Sequence, residues 1–152
     1  MKINRKRIII ISASLVFVAF GLFAGFGIYQ GYKVQQMFID GVHRREAAFR
    51  QEPTLISSLV LMNNYYWDLK QYDKANYYAD YCIKLNVDKT RRGWFVHMVK
   101  AELAAKNKNL DEACNHLNLA LQLAKQFDIP ETNFNDFEYQ ELLNSCTAKG
   151  VK

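Results

Sequence analysis

The first feature along the chain is an uncharged run from Ile8 to Tyr29, IIIISASLVFVAFGLFAGFGIY, interrupted only by Ser12 and Ser14. As a helix rising ~1.5 Å per residue it is about 33 Å long, enough to cross a hydrocarbon core of about 30 Å. It exceeds the ~7–15-residue apolar core of a cleaved leader and ends in Gly-Phe-Gly-Ile-Tyr-Gln rather than a small-x-small site. The pattern therefore predicts a basic flank over 1–7 and a retained transmembrane helix over 8–29. Tyr32 to Gln51 keeps helical spacing, with Val34, Phe38, Val42 and Phe49 roughly on one face and Gly41 weakening the middle. This predicts a helical stalk over 30–52.

Beyond Pro53, apolar positions recur three and four apart. Leu55, Leu59, Met62, Tyr66 and Leu69 form one stripe, and Tyr72, Ala75, Ala79, Cys82 and Leu85 form the next. A third helix is expected over about Arg91 to Lys106 and a fourth over Leu110 to Phe127. A last one over Asn133 to Thr147 carries Phe134, Phe137, Leu142, Leu143 and Cys146. Short connections make successive helices antiparallel neighbours. No stretch alternates with the period of a strand, so the fold class is all-α, with about five helices in a domain over 53–152.

Two of these hairpins repeat. Gln71-Tyr72-Asp73-Lys74-Ala75 aligns with Asn109-Leu110-Asp111-Glu112-Ala113, and Ala79, Cys82 and Leu85 align with Leu117, Ala120 and Leu123. Over roughly 54–127 the chain resembles the tetratricopeptide repeat, a helix–turn–helix unit of about 34 residues. Leu59, Met62, Asn63, Tyr66, Tyr72, Ala75, Ala79, Cys82 and Leu85 fall on the signature positions. The chain departs from the pattern in three places. The two copies are offset by about four residues more than that unit, Asn63 stands for the usual Gly, and Val87 stands for the usual Pro. The resemblance implies a short solenoid whose concave face, lined by Val60, Asn64 and Trp67, takes a partner peptide or helix. Relatives that grip a C-terminal carboxylate carry a Lys where this chain has Val60, so a receptor of that kind is not expected.

Composition sharpens the picture at the N-terminus. The formal net charge is +5, but Lys2, Arg5, Lys6 and Arg7 account for most of it, and residues 32–152 are close to neutral. No extended basic field is left for nucleic acid. Bases ahead of the apolar run, with Lys33 and Asp40 cancelling behind it, keep the N-terminus cytoplasmic and place the rest outside. Gly21, Ala24, Gly25, Gly27 and Gly31 form overlapping small-residue pairs that would let a partner helix approach closely in lipid.

Candidate chemistry is sparse. No phosphate-cradling glycine loop, HExxH or CxxCH is present. His43, His97 and His116 are not spaced as a pair on one helix, and each reads as a helix-surface residue. No metal site, cofactor or catalytic residue is expected. Three buried thiols is the favoured reading of Cys82, Cys114 and Cys146, although in an oxidising compartment Cys114 and Cys146 could bridge the last two helices. Tyr65, Tyr66 and Trp67 point about 100° apart on a helix, so at least one must be exposed, as interface anchors are. Arg44-Arg45 and Lys89-Arg91-Arg92 read as solvated charge or as contacts to acidic headgroups or an acidic rim.

The functional expectation is a non-enzymatic, membrane-anchored scaffold, an accessory subunit of a larger bacterial inner-membrane complex with its helical domain in the periplasm. Its partners would be membrane subunits at the anchor and an extracytoplasmic protein or peptide at the concave face, with no nucleic acid or small-molecule substrate. The alternative is a transient receptor or chaperone for translocating polypeptides. A cytosol-facing import receptor would carry its bases after the helix instead.

Overall fold

The computed structural model describes residues 5–130 and 137–148, with side chains placed for 26–130 and 139–148. Among them are six α-helices and no strand. They are α1 (Arg5–Gln51), α2 (Leu55–Asn63), α3 (Tyr72–Lys84), α4 (Gly93–Lys106), α5 (Leu110–Gln126) and α6 (Phe137–Ala148). The chain divides into two compact units, and the division falls inside α1, between Arg44 and Arg45.

The transmembrane assignment of 8–29 is corrected: among the described residues, no helix is long and apolar enough to cross a membrane. The apolar run and the stalk are parts of one helix, α1, which Gly41 does not interrupt. Side chains over 8–25 lie outside the described residues.

Local chemistry explains where the remaining helices begin and end. Thr54 caps α2: its Oγ1 accepts from the Ser57 N–H at 3.1 Å, and Ser57 Oγ accepts from the Thr54 N–H at 3.1 Å, a reciprocal capping box. Asn109 caps α5 by accepting from the Glu112 N–H at 3.3 Å, and Asp111 and Glu112 favour the dipole of that first turn. Lys70, Asn86, Lys108 and Asp128 stop four successive helical segments with positive φ of 54°, 60°, 61° and 50°. After two of them the chain closes on the helix it leaves, Asn109 N–H to the Ala104 carbonyl and Ile129 N–H to the Ala124 carbonyl, both 2.9 Å. These closures satisfy carbonyls that a helix end otherwise strands.

In the second unit α2 pairs with α3, α3 with α4, α4 with α5, and α6 packs on α4 and α5. Small residues make the closest approaches. Ala75, Ala79 and Cys82 of α3 and Ala101, Ala104, Ala113 and Ala120 of α4 and α5 are fully or almost fully buried. Leu117, Ala124, Tyr139 and Leu142 complete the core of the second hairpin. Cys114 and Cys146 lie in that core and form a disulfide, with Cα atoms 5.4 Å apart, that ties α6 to α5. The favoured reading of three free thiols is thereby replaced, because both side chains face the same α5–α6 seam. Cys82 alone is free, and burial pushes its thiol up to about 12.

Candidate partner-binding groove

The end of α2 is where the helix departs from regularity. Residues Asn64–Asp68 form a single π-helical turn, in which the Leu69 N–H reaches back five residues to the Asn64 carbonyl at 3.0 Å. This wider turn resolves the crowding of three successive aromatics: Tyr65 and Tyr66 are buried and Trp67 is left 45% exposed. The Tyr66 hydroxyl donates to Glu102 of α4, and its ring meets Trp67 edge-on with centroids 4.8 Å apart. π-turns recur at functional sites because they re-aim side chains without ending the helix.

Trp67 closes one end of a groove. Ile56, Val60, Asn63 and Trp67 follow at spacings of four, three and four, and Ile56 and Val60 are 75% and 38% exposed. Across from them stand Arg92, Trp94 and Phe95 at the start of α4, enclosing a cavity of about 540 Å³ with Ile56, Leu59, Val60 and Asn63. Trp94 and Phe95 continue into a smaller cavity of about 100 Å³ with Trp67, Met98, Val99, Glu102 and Tyr139. Arg92 and Trp94 also border a third, of about 310 Å³, with Arg91, Ile129 and Pro130. Because the start of α2 faces the start of α4, the two helices run parallel as the walls of one trough.

The residues singled out from the sequence divide accordingly. Val60 and Trp67 line the groove. Asn64 does not: it is buried, and with its amide oriented to suit its neighbours it donates to the Val60 carbonyl and accepts from the Arg45 guanidinium, both at 3.1 Å. Gly27 and Gly31 have nothing within 4 Å of where a Cβ would stand. Gly21, Ala24 and Gly25 lie outside the described side chains.

A second cluster went unseen in the sequence. His97 is 2% exposed; its Nε2 lies 3.0 Å from Asp88 Oδ1 and its Nδ1 2.9 Å from His116 Nδ1. One turn on, Lys100 is 6% exposed and donates at 2.8 Å to both Asn76 Oδ1 and Asp80 Oδ1, with Glu112 Oε1 at 3.9 Å. Glu112 Oε1 is also 4.0 Å from His116 Nε2. Burial, then the neighbouring His97 and Lys100, hold the His116 imidazole below its ordinary range, against the pull of Glu112 and Asp80. The cluster braces α3, α4 and α5; nothing in it is a hydroxyl or thiol nucleophile. Nor do the described residues gather three or more His, Cys, Asp or Glu able to hold a metal ion.

A third polar centre anchors the last turns of α1. Glu46 accepts from the hydroxyls of Tyr65 at 2.8 Å and Tyr78 at 3.0 Å, and Lys74 and Arg50 stand 3.6 Å away. Burial alone would raise this carboxyl, but the two hydroxyls and two cations outweigh it and hold it below the usual range. Phe49 then packs edge-on to Tyr78 and Tyr81. Of the aromatic residues between 65 and 81, Tyr65, Tyr66 and Tyr78 are buried, whereas Trp67, Tyr72 and Tyr77 are exposed.

No family model, curated protein or solved structure matches the chain. The tetratricopeptide resemblance is corrected accordingly, since no family match supports it. Its carrying residues Ala75, Ala79, Cys82 and Ala120 are buried small side chains, which any pair of closely packed helices needs at its contact. The π-turn and the four-residue excess are this chain's own. What stands is an all-helical fold with a groove between α2 and α4.

Proposed function

We propose that the chain is a non-enzymatic scaffold, an accessory subunit of a larger complex, that holds a partner protein in the groove between α2 and α4. The carrying observation is that Ile56, Val60 and Trp67 expose large apolar side chains along one face of α2, opposite Trp94 and Phe95. Apolar surface that is contiguous and rich in tryptophan marks interaction sites, whereas isolated exposed aliphatics do not. The Cys114–Cys146 bridge supports an extracytoplasmic setting, because disulfides persist in oxidising compartments.

The exposure of Ile56, Val60 and Trp67 supports a second reading, a receptor that takes and releases polypeptide segments. The two differ in stoichiometry. Tagged chain is crosslinked in cells and purified without denaturant, as wild type and as Val60→Glu. A scaffold yields one assembly of fixed composition that Val60→Glu removes. Many substoichiometric clients, also lost with Val60→Glu, favour the receptor. Partners retained by Val60→Glu contradict both.

A further inference from the structure

We infer that the groove's occupant is an acidic amphipathic helix, whose apolar stripe lies along α2 and α4 and whose carboxylates meet Arg91 and Arg92. This rests on the groove reading above and adds the partner's chemistry. The trough's α2 wall runs from Ile56 to Trp67, about 16 Å at ~1.5 Å per residue, the length of three helical turns. Two parallel helices present ridges whose groove accepts the side chains a third helix carries at i, i+3, i+4 and i+7.

The trough is also polar along its axis. At its start the exposed Arg91 and Arg92 border the 310 Å³ hollow beside Trp94, Ile129 and Pro130, and Lys89 adds a third exposed base nearby. No carboxylate among the described residues forms an ion pair with either guanidinium. At its far end Glu102 lines the cavity beside Trp67. A helix with acids at one end and none at the other fits this polarity in one direction only, and its reverse sets like charges against each other. Guanidinium forks suit carboxylates in particular, through paired N–H donors, and stack well on aromatic faces. A fatty acid offers the same headgroup, but acyl chains fill cavities that bury most of the ligand, whereas Ile56, Val60 and Trp67 along this wall stay 75%, 38% and 45% exposed.

The fluorescence of Trp67 and Trp94 tests the inference directly, since the chain has 2 tryptophans and both line the trough. Three synthetic helical peptides of about 14 residues share one leucine stripe and end in glutamates, glutamines or lysines. The acidic peptide is expected to bind the full chain about tenfold tighter than its lysine twin, with an affinity that falls as salt rises. Replacing both arginines, Arg91→Glu with Arg92→Glu, is expected to reverse the order. Arg92→Gln, a milder change, removes most of the preference. Equal affinity for all three peptides, abolished by Val60→Glu, overturns the acidic partner and leaves the groove reading intact. Binding that ignores Val60→Glu overturns the groove itself. Failure of every peptide to bind, or oleate displacing the acidic peptide, overturns this inference and leaves the groove to the crosslinking experiment.

Discussion

His97 and His116 place two δ nitrogens 2.9 Å apart, a distance that a single shared proton stabilises and a second one breaks. Their surroundings are Asp88 from the turn before α4, Lys100 from α4, Asp80 and Asn76 from α3, and Glu112 from α5. Because the folded chain holds His116 below its ordinary value, the unfolded chain takes up that proton first as pH falls through about 6.5. Stability is therefore full above that value and declines below it until the folded imidazole also titrates. Urea unfolding at pH 7.5 and 5.5 is expected to show this decline in the wild type and a smaller one in His116→Gln; equal declines contradict it. Glu46 does not enter that window, since its carboxyl lies below the usual range and its stabilisation is lost only at more acid pH. At neutral pH, Glu46→Ala leaves the buried Tyr65 and Tyr78 hydroxyls without their acceptor and is expected to cost about 2–4 kcal/mol. Glu46→Gln keeps an acceptor and costs less, so equal losses for the two would refute the hydroxyl account. At this scale the sequence disclosed little. Three adjacent aromatics that cannot share a face implied that at least one is exposed, though not that it is Trp67, and the histidine pair spans two helices, where such pairs leave no spacing signature.

The elements were far more legible, because α2, α3 and α5 carry apolar stripes and Lys70, Asn86, Lys108 and Asp128 stop the segments before them. What the stripes could not disclose was the π-turn over Asn64–Asp68, a change of hydrogen-bond register rather than of pattern, and it buries Asn64 instead of presenting it. Gly93 shows a similar dependence on context. In an exposed helix Gly→Ala is stabilising by about 1 kcal/mol, but here a Cβ would stand 2.9 Å from Asp88 Cα and 3.1 Å from both the Val87 carbonyl oxygen and Leu123 Cδ1. The backbone that carries Asp88 would have to move, so Gly93→Ala is expected to destabilise by about 1–3 kcal/mol in thermal or urea unfolding. A gain in stability would show that the turn is loose. The disulfide works between elements: it closes a loop with a sequence separation of 32 residues. Paired replacement, Cys114→Ala with Cys146→Ala, is expected to cost about 3–4 kcal/mol by the chain-entropy relation. Amide exchange should rise first in α6, and uniform exchange across α4, α5 and α6 would count against its role as a local tie.

For the whole molecule, the all-helical class and the order of helices after Pro53 could be read in advance, whereas the anchor could not. The apolar run of 8–29 is part of a helix that continues to Gln51, and among the described residues no helix is long and apolar enough to cross a membrane. The repeat likeness was equally persuasive and equally local, since small residues at helix contacts recur wherever helices pack closely. What the pattern did convey was a surplus of aromatic side chains, and their division gives the account its central claim: Tyr65, Tyr66 and Tyr78 fill the core while Trp67 faces the trough between α2 and α4. The most direct test places the photocrosslinking residue benzoylphenylalanine at Val60 in the trough, or at Tyr77 on α3, which is also exposed, and irradiates the chain in cells. The account predicts a discrete adduct to one partner protein from position 60 and none of that size from position 77. The same adduct from both positions, or from position 77 alone, would place the partner elsewhere and contradict it.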